Sequence, residues 1–481
     1  VSSLTGEVRS VLREAIEAHR DDQETADLLR RQLDRMDEPL RVAISGKVKA
    51  GKSTLLNALV GEEIAPTDSG ECTRVVTWYR HGHSPRITLH PKEGPPRQLP
   101  VSRDGGALRI DLGAAPESVD RLTVDWPTQG LRDTTLIDTP GIASVSEEIA
   151  ASAVRFLAPE DAPGEADAVI YLMRHLHRAD LRLLESFQDR GAARATPVNT
   201  IAVLSRADEM GVGRIDSLMS ARQIAQRYRA DPRLRKLCQT VVPVAGLIAQ
   251  TARTLRQDEF TALAALAAAP RNELESALLS VDRFTRAGEG HAALLSRFGL
   301  FGIRLATVLI RQGFDDPPRL SAELVRRSGL DELRETLSVL FAERRDLLKA
   351  RSALLALDTV LRERKCPESA RLLSTVERLL ADAHELAELR TIGVLRSGAV
   401  QMPAEAKAEA ERLLGGEGGA PWSRLALRPD AGREAQRQAA LDTLARWQRW
   451  AESPLSSRAF IDLARVVVRT CEGVVNRLSD D

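Results

Sequence analysis

The stretch Ser45-Gly46-Lys47-Val48-Lys49-Ala50-Gly51-Lys52-Ser53-Thr54 decides the fold. The short apolar run Val42-Ala43-Ile44 before it reads as a buried strand, and Leu55-Leu56-Asn57-Ala58-Leu59-Val60 after it has the apolar spacing of a helix. Strand, glycine-bounded loop, lysine, hydroxyl residue and helix, in that order, make a phosphate-binding loop. Gly46 and Gly51 let the backbone wrap close to an oligophosphate, so the amides of Lys47, Val48, Lys49, Ala50, Lys52, Ser53 and Thr54 face inward. The positive end of the following helix meets the same anion. Lys52 is expected to reach the β- and γ-phosphates, and the Ser53 hydroxyl to bind Mg²⁺.

Composition sharpens this reading. Only eight of the 68 basic residues are lysine, and three of them, Lys47, Lys49 and Lys52, fall inside this loop. A compact, flexible ammonium is preferred beside phosphate in a chain that otherwise prefers the planar guanidinium. Acidic and basic residues balance at 68 each, so no global field favours nucleic acid, and the helical half offers neither a basic stripe nor an aromatic stacking platform. Four scattered cysteines, Cys72, Cys238, Cys366 and Cys471, read as free thiols of a reducing compartment. Residues 1–38 carry charges throughout, unlike a signal peptide, and the apolar run 298–310 is broken by Arg304. The expected location is cytoplasmic, with any membrane contact peripheral.

At 481 residues the chain should divide into two or three domains. Residues 1–38 repeat apolar positions at helical spacing, interrupted near Arg20, and need a partner elsewhere. From 39 to 328 comes an α/β domain with a mostly parallel sheet and helices on both faces. Its strands are expected at 41–45, 74–80, 120–125, 134–137, 167–172, 199–204 and 240–244, with an extra hairpin in the Gly/Pro-rich segment 81–113. A long helix is expected over 331–365, inside a segment 329–366 that ends at Pro367. Residues 367–453 then read as a second helical bundle, and 454–481 as a last amphipathic helix after Ser453-Pro454. If the chain leaves one bundle at Pro367 and returns at Pro454, then 1–38, 329–366 and 454–481 form a proximal bundle. Residues 367–453 would form a distal one, roughly 45 Å long, that stands away from the phosphate loop as a lever.

The nucleotide chemistry needs three more elements. Thr73, in the loop Glu71-Cys72-Thr73-Arg74 before a strand, is the candidate for a second Mg²⁺-binding hydroxyl and a catalytic residue, although it could simply cap a turn. Thr135-Leu136-Ile137-Asp138-Thr139-Pro140-Gly141 is an apolar strand ending in DTPG; Asp138 can hold Mg²⁺ and the Gly141 amide can sense the γ-phosphate. Guanine requires a carboxylate that accepts two hydrogen bonds from the base edge. Ser205-Arg206-Ala207-Asp208 supplies it in Asp208, with Arg206 covering the base, Ser205 a departure from the usual Asn or Thr, and Ala245-Gly246 lending amides. Ile142 stands where a water-orienting glutamine often lies, so Lys49 is a candidate for charge compensation in cis, the alternative being a solvated loop charge. His175 and His177 have no further ligand in view and read as a polar loop.

GKVKAGKST, CTR before the second strand, DTPG followed by an apolar residue, the degenerate SRAD, and helices flanking the α/β domain on both sides together resemble the dynamin superfamily over the entire chain. LSRADEMGVGRIDSLMSAR, TARTLRQDEF and LLSVDRF resemble its bacterial members of the mycobacterial isoniazid-inducible type. The resemblance implies a large GTPase with neck and trunk bundles, using GTP/GDP and Mg²⁺. It also implies a nucleotide-dependent dimer through the GTPase domains, possible pairing with a co-encoded relative, and remodelling of anionic membranes at the inner face of the plasma membrane. The chain departs from the classical dynamins, which carry a pleckstrin-homology domain and a proline-rich tail, and its resemblance to the bacterial members implies a trunk-tip loop as the lipid contact. Ile392, Val394, Leu395 and Arg396, within 390–402, are the candidates, since apolar residues beside arginine suit a shallow anionic contact. The same residues could instead pack between trunk helices.

Overall fold

The computed structural model describes residues 3–67, 74–104, 106–141, 164–186, 199–210, 216–397, 400–453 and 456–479. Eleven strands are present among them: β1 Leu40–Gly46, β2 Val76–His81, β3 Arg86–Pro91, β4 Arg97–Leu99, β5 Ser102–Asp104, β6 Ala107–Arg109, β7 Val119–Trp126, β8 Thr134–Asp138, β9 Ala168–Met173, β10 Thr200–Ser205 and β11 Val241–Val244. Nine form one sheet in the order β11-β10-β9-β1-β8-β2-β7-β3-β4. The run from β11 to β8 is parallel, and β2 enters antiparallel to β8. All seven expected strands lie within two residues of these positions, and the 81–113 segment holds two antiparallel pairs where one hairpin was expected, β3 with β4 and β5 with β6.

Burial on both faces explains why the central strands read as unbroken apolar runs. One core joins Tyr171, Ala202 and Leu204 to the helices Ser217–Ala230, Gly246–Arg253 and His291–Arg311. The other joins Val42, Ile44, Leu136, Ile170 and Val203 to Leu333, Leu340, Phe341 and Leu348. Helix His291–Arg311 is long and apolar enough to cross a membrane, but half of it is buried. It turns at Gly299, and Phe298, Ile303, Ala306 and Leu309 pack into the first core.

The helical half departs from expectation in four ways. The expected helix 331–365 is two helices, Leu330–Leu337 and Arg345–Glu363, joined by a π-helical segment Ser338–Ala342 that turns Leu340 and Phe341 into the sheet core. Helix Ser369–Asp382 joins the proximal bundle, where Leu372 and Val376 meet Val8, Leu12, Leu29, Leu354 and Leu357. Conversely, the C-terminal helix Arg458–Ser479 belongs with the second bundle. Its Leu463, Ala464, Val467, Cys471 and Val474 are buried, the first four packing against Ile392, Leu395, Leu413 and Trp447. An amphipathic helix docks where its apolar stripe finds the matching face, and here that face belongs to Arg433–Ala451 and His384–Ser397. The second bundle does not stand away from the α/β domain either. Arg235 of the short helix Pro232–Arg235 pairs with Glu411 at 3.3 Å, and Arg344 donates to the Gly415 carbonyl. Pro454 lies outside the described residues.

Candidate nucleotide site

β1 delivers the glycine-rich loop at the carboxyl edge of the sheet, between β8 and β9, where open α/β sheets bind ligands. Two glycines are obligatory there. Gly46 has φ 148°, and a Cβ on it would stand 2.5 Å from the Leu172 carbonyl oxygen. Gly51 has φ 92° and caps the helix Lys52–Val60, whose first amides open toward the loop. Gly141, at the end of the DTPG run, is pressed against the loop: a Cβ would lie 2.6 Å from Val48 Cγ2 and 2.9 Å from Val48 Cα. The phosphate loop and the DTPG turn are therefore in backbone contact.

Lys52 Nζ lies 3.4 Å from the Gly46 carbonyl and 3.5 Å from that of Lys47. Burial pushes its pKa down, opposed by the charge of Asp138. Asp138 accepts a 2.8 Å hydrogen bond from Ser53 Oγ on Oδ2, while its buried Oδ1 has no partner. Burial pushes this carboxyl up, opposed by Lys52 and the Ser53 hydrogen bond. A carboxylate oxygen without a donor, beside a hydroxyl, is the donor set a hard divalent cation takes from a phosphate-loop protein, which supplies one or two side chains and leaves the remaining positions to phosphate and water. The residues therefore fit Mg²⁺. Among the described residues no cluster of three His, Cys, Asp or Glu could hold a metal by itself, and the His175 and His177 rings are 6.3 Å apart, edge to face.

A cavity of about 160 Å³ opens beside the loop. Ala50, Gly51 and Thr54 line it from one side, Ser205, Arg206 and Asp208 from another, and Gly246 from a third. Three stretches far apart in sequence thus share one wall. Arg206 takes a left-handed conformation, φ 53°, and donates from Nη2 to the Lys49 carbonyl at 3.0 Å, tying the SRAD turn to the phosphate loop. Burial pushes the Asp208 carboxyl up, while its own backbone N–H holds it lower. Ser205 is buried, and its hydroxyl lies 3.3 Å from the Met173 carbonyl, which binds β10 to β9.

Other expected positions land differently. The Ala245 amide is committed to the Ser328 carbonyl at 2.9 Å, so of the pair only Gly246 faces the cavity. The Lys47 side chain turns away, to Asp180 at 3.0 Å. Lys49 has φ 61° and an exposed side chain, and Val48 is exposed as well. Thr73 and Ile142 lie outside the described residues.

Three of the four lipid-tip candidates are buried. Ile392 and Leu395 are 3% and 1% exposed, packed in the second helical core, and buried Arg396 pairs with Glu411 at 2.5 Å. Only Val394 of the four is exposed. Packing between trunk helices accounts for their apolar character.

Sequence reasoning missed Glu209, which lines the cavity and bridges Arg206 and Arg174. Its place directly after Asp208 was the available signal. It also missed Asp180, which no local pattern marks.

Comparison with known proteins places the chain in a family. A family model described as the dynamin family matches residues 42–206, the span from β1 to the SRAD turn. The isoniazid-induced protein IniC of Mycobacterium tuberculosis (strain ATCC 25618 / H37Rv) is 42% identical over 492 residues, covering 99% of this chain and 99% of the relative. The isoniazid-induced protein IniA of the same strain is 31% identical over 140 residues, 28% of this chain and 21% of its own length. The bacterial dynamin-like protein of Nostoc punctiforme (strain ATCC 29133 / PCC 73102) is 33% identical over 114 residues, 21% of this chain and 16% of its own length. A solved structure of an oligomerised bacterial dynamin pair, described in the long-range sensing and tethering of membranes, aligns at TM-score 0.36 and 14% identity, covering 100% of this chain and 76% of the other.

Proposed function

The chain belongs to the dynamin family, as a bacterial dynamin-like protein resembling IniC, and from that premise we propose that it binds GTP with Mg²⁺, hydrolyses it, and couples hydrolysis to self-association at a membrane. One observation carries the nucleotide reading: the cavity is lined jointly by the phosphate loop, the SRAD turn and Gly246. Asp208 accepts from the guanine edge, and Arg206 covers the base while holding the Lys49 carbonyl. Lys52 binds the β- and γ-phosphates, and the Gly141 amide meets the γ-phosphate. Ser53 and Asp138, with Thr73, would hold Mg²⁺, whose charge would offset that of the phosphate oxygens. Exposed Lys49 compensates charge in cis once a second molecule closes the site.

Self-association through the GTPase domains, pairing with a co-encoded relative, and a peripheral position at the inner face of the plasma membrane are parts of the same proposal. A second reading has its own support. Burial of Ile392 and Leu395 removes the residues chosen to meet lipid, which favours a GTP-switched scaffold acting through protein partners. Steady-state GTP hydrolysis, measured over a range of protein concentrations with and without anionic liposomes, separates the two. A rate per molecule that climbs with concentration and with lipid supports the membrane reading. Hydrolysis indifferent to lipid, with no co-sedimentation on liposomes, moves the protein to the scaffold reading; no hydrolysis at all removes both. Lys49→Ala with normal turnover and normal GTP affinity would exclude the proposed role of Lys49.

A further inference from the structure

We infer that Asp180 is a positioning residue of the nucleotide site, acting through Lys47 on the phosphate loop; the inference rests on the GTP reading above. Asp180 is fully buried and accepts three hydrogen bonds, from β9, from the turn ahead of its own helix and from the phosphate loop. Tyr171 of β9 donates its hydroxyl to Oδ1 at 2.7 Å, the His177 amide donates to Oδ2 at 2.9 Å, and Lys47 Nζ donates to Oδ2 at 3.0 Å. Only a carboxylate satisfies three donors at once, and Lys47 brings the opposite charge that a buried anion needs.

The consequence for the site lies in the other end of Lys47. Its backbone carbonyl, with that of Gly46, is what the Lys52 ammonium approaches, at 3.5 and 3.4 Å. Asp180 therefore grips by its side chain the very residue whose main chain seats Lys52. It also holds a second ammonium aside: released from Asp180, Lys47 competes with Lys52 for the same phosphate space and loosens the loop that both share. The carboxylate comes from the start of helix Arg178–Ser186, so the placement of that helix is felt at the phosphate loop.

The test is binding of a fluorescent GDP analogue, with GTP turnover alongside, in Lys47→Gln, Asp180→Asn and the double variant. Each single change is expected to weaken GDP binding about tenfold, raising KM with kcat nearly unchanged, and the double variant should lose about tenfold and not a hundredfold, because the two residues act as one contact. Lys47→Arg, which keeps the charge, is expected to restore most of the affinity. Wild-type affinity in Lys47→Gln overturns the inference even if Asp180→Asn fails to fold. Losses that multiply in the double variant overturn it too. Failure of the unaltered protein to bind GDP is a different result, and removes the nucleotide reading itself.

Discussion

Charge is drawn inside this molecule at the nucleotide site and again where the second helical bundle meets the α/β domain. At the nucleotide site the cations are Lys47 and Lys52, and Asp138 keeps one oxygen without a partner. At the bundle the cations are Arg344, Arg396 and Arg424. Arg424 grips both oxygens of Glu388 at 2.7 and 3.2 Å, Arg396 holds Glu411, and Arg344 donates to the Gly415 carbonyl. Burial, with Arg424 and Arg396 nearby, pulls Arg344 down to about 10. A planar guanidinium suits a carboxylate that never leaves; a flexible ammonium suits an anion that comes and goes. Of the three lysines in the loop, Lys52 follows this division; Lys47 instead holds the buried carboxylate of Asp180, and Lys49 is exposed.

The contrast can be broken from either side. The largest effect is expected from Leu395→Asp, which places a charge in the second helical core: about 5 kcal/mol of stability lost in chemical denaturation. Loss of lipid binding without loss of stability would instead support the tip. Lys52→Ala is expected to cut GTP turnover about a thousandfold, near 4 kcal/mol, with an unchanged melting temperature; a matching fall in melting temperature would give Lys52 a structural role as well. Glu388→Gln should do the reverse, costing about 3 kcal/mol of stability by stranding Arg424 while leaving GDP affinity at wild-type level in the folded protein.

The smallest effect comes from acid. Burial raises the Glu388 pKa, but His384, Arg424 and Thr470 outweigh it and hold the carboxyl down to about 2. A folded pKa below the unfolded one gives stability that is complete above about 4.5 and is lost as pH falls toward about 2, so Glu388 alone should cost about 2 kcal/mol by pH 3. Glu388→Gln should flatten that part of the stability profile, and an unaltered slope would show that other carboxylates set it.

The same contrast shows what the sequence could carry. The phosphate loop, DTPG and SRAD were legible because each packs its chemistry into a few consecutive residues with a fixed backbone form, and all three meet at one edge of the sheet. Asp180 was not, since its partner Lys47 lies 133 positions away and nothing in the sequence around Asp180 links the two. Burial of the tip candidates was hidden for a related reason: apolar residues beside Arg396 look the same whether the arginine faces a headgroup or Glu411, fifteen residues further on. Helix Arg458–Ser479 announces one apolar stripe but not its mate, so its transfer from the proximal bundle to the second could be read only from packing.

Helix His384–Ser397 contributes Leu386 and Leu389 to the proximal bundle and Ile392 and Leu395 to the second. Two successive stretches of one rod are thus shared between two cores, so melting either core removes a wall of the other. The helical half should then lose structure as one cooperative unit, and cutting the chain between residues 383 and 391 should leave neither helical bundle folded.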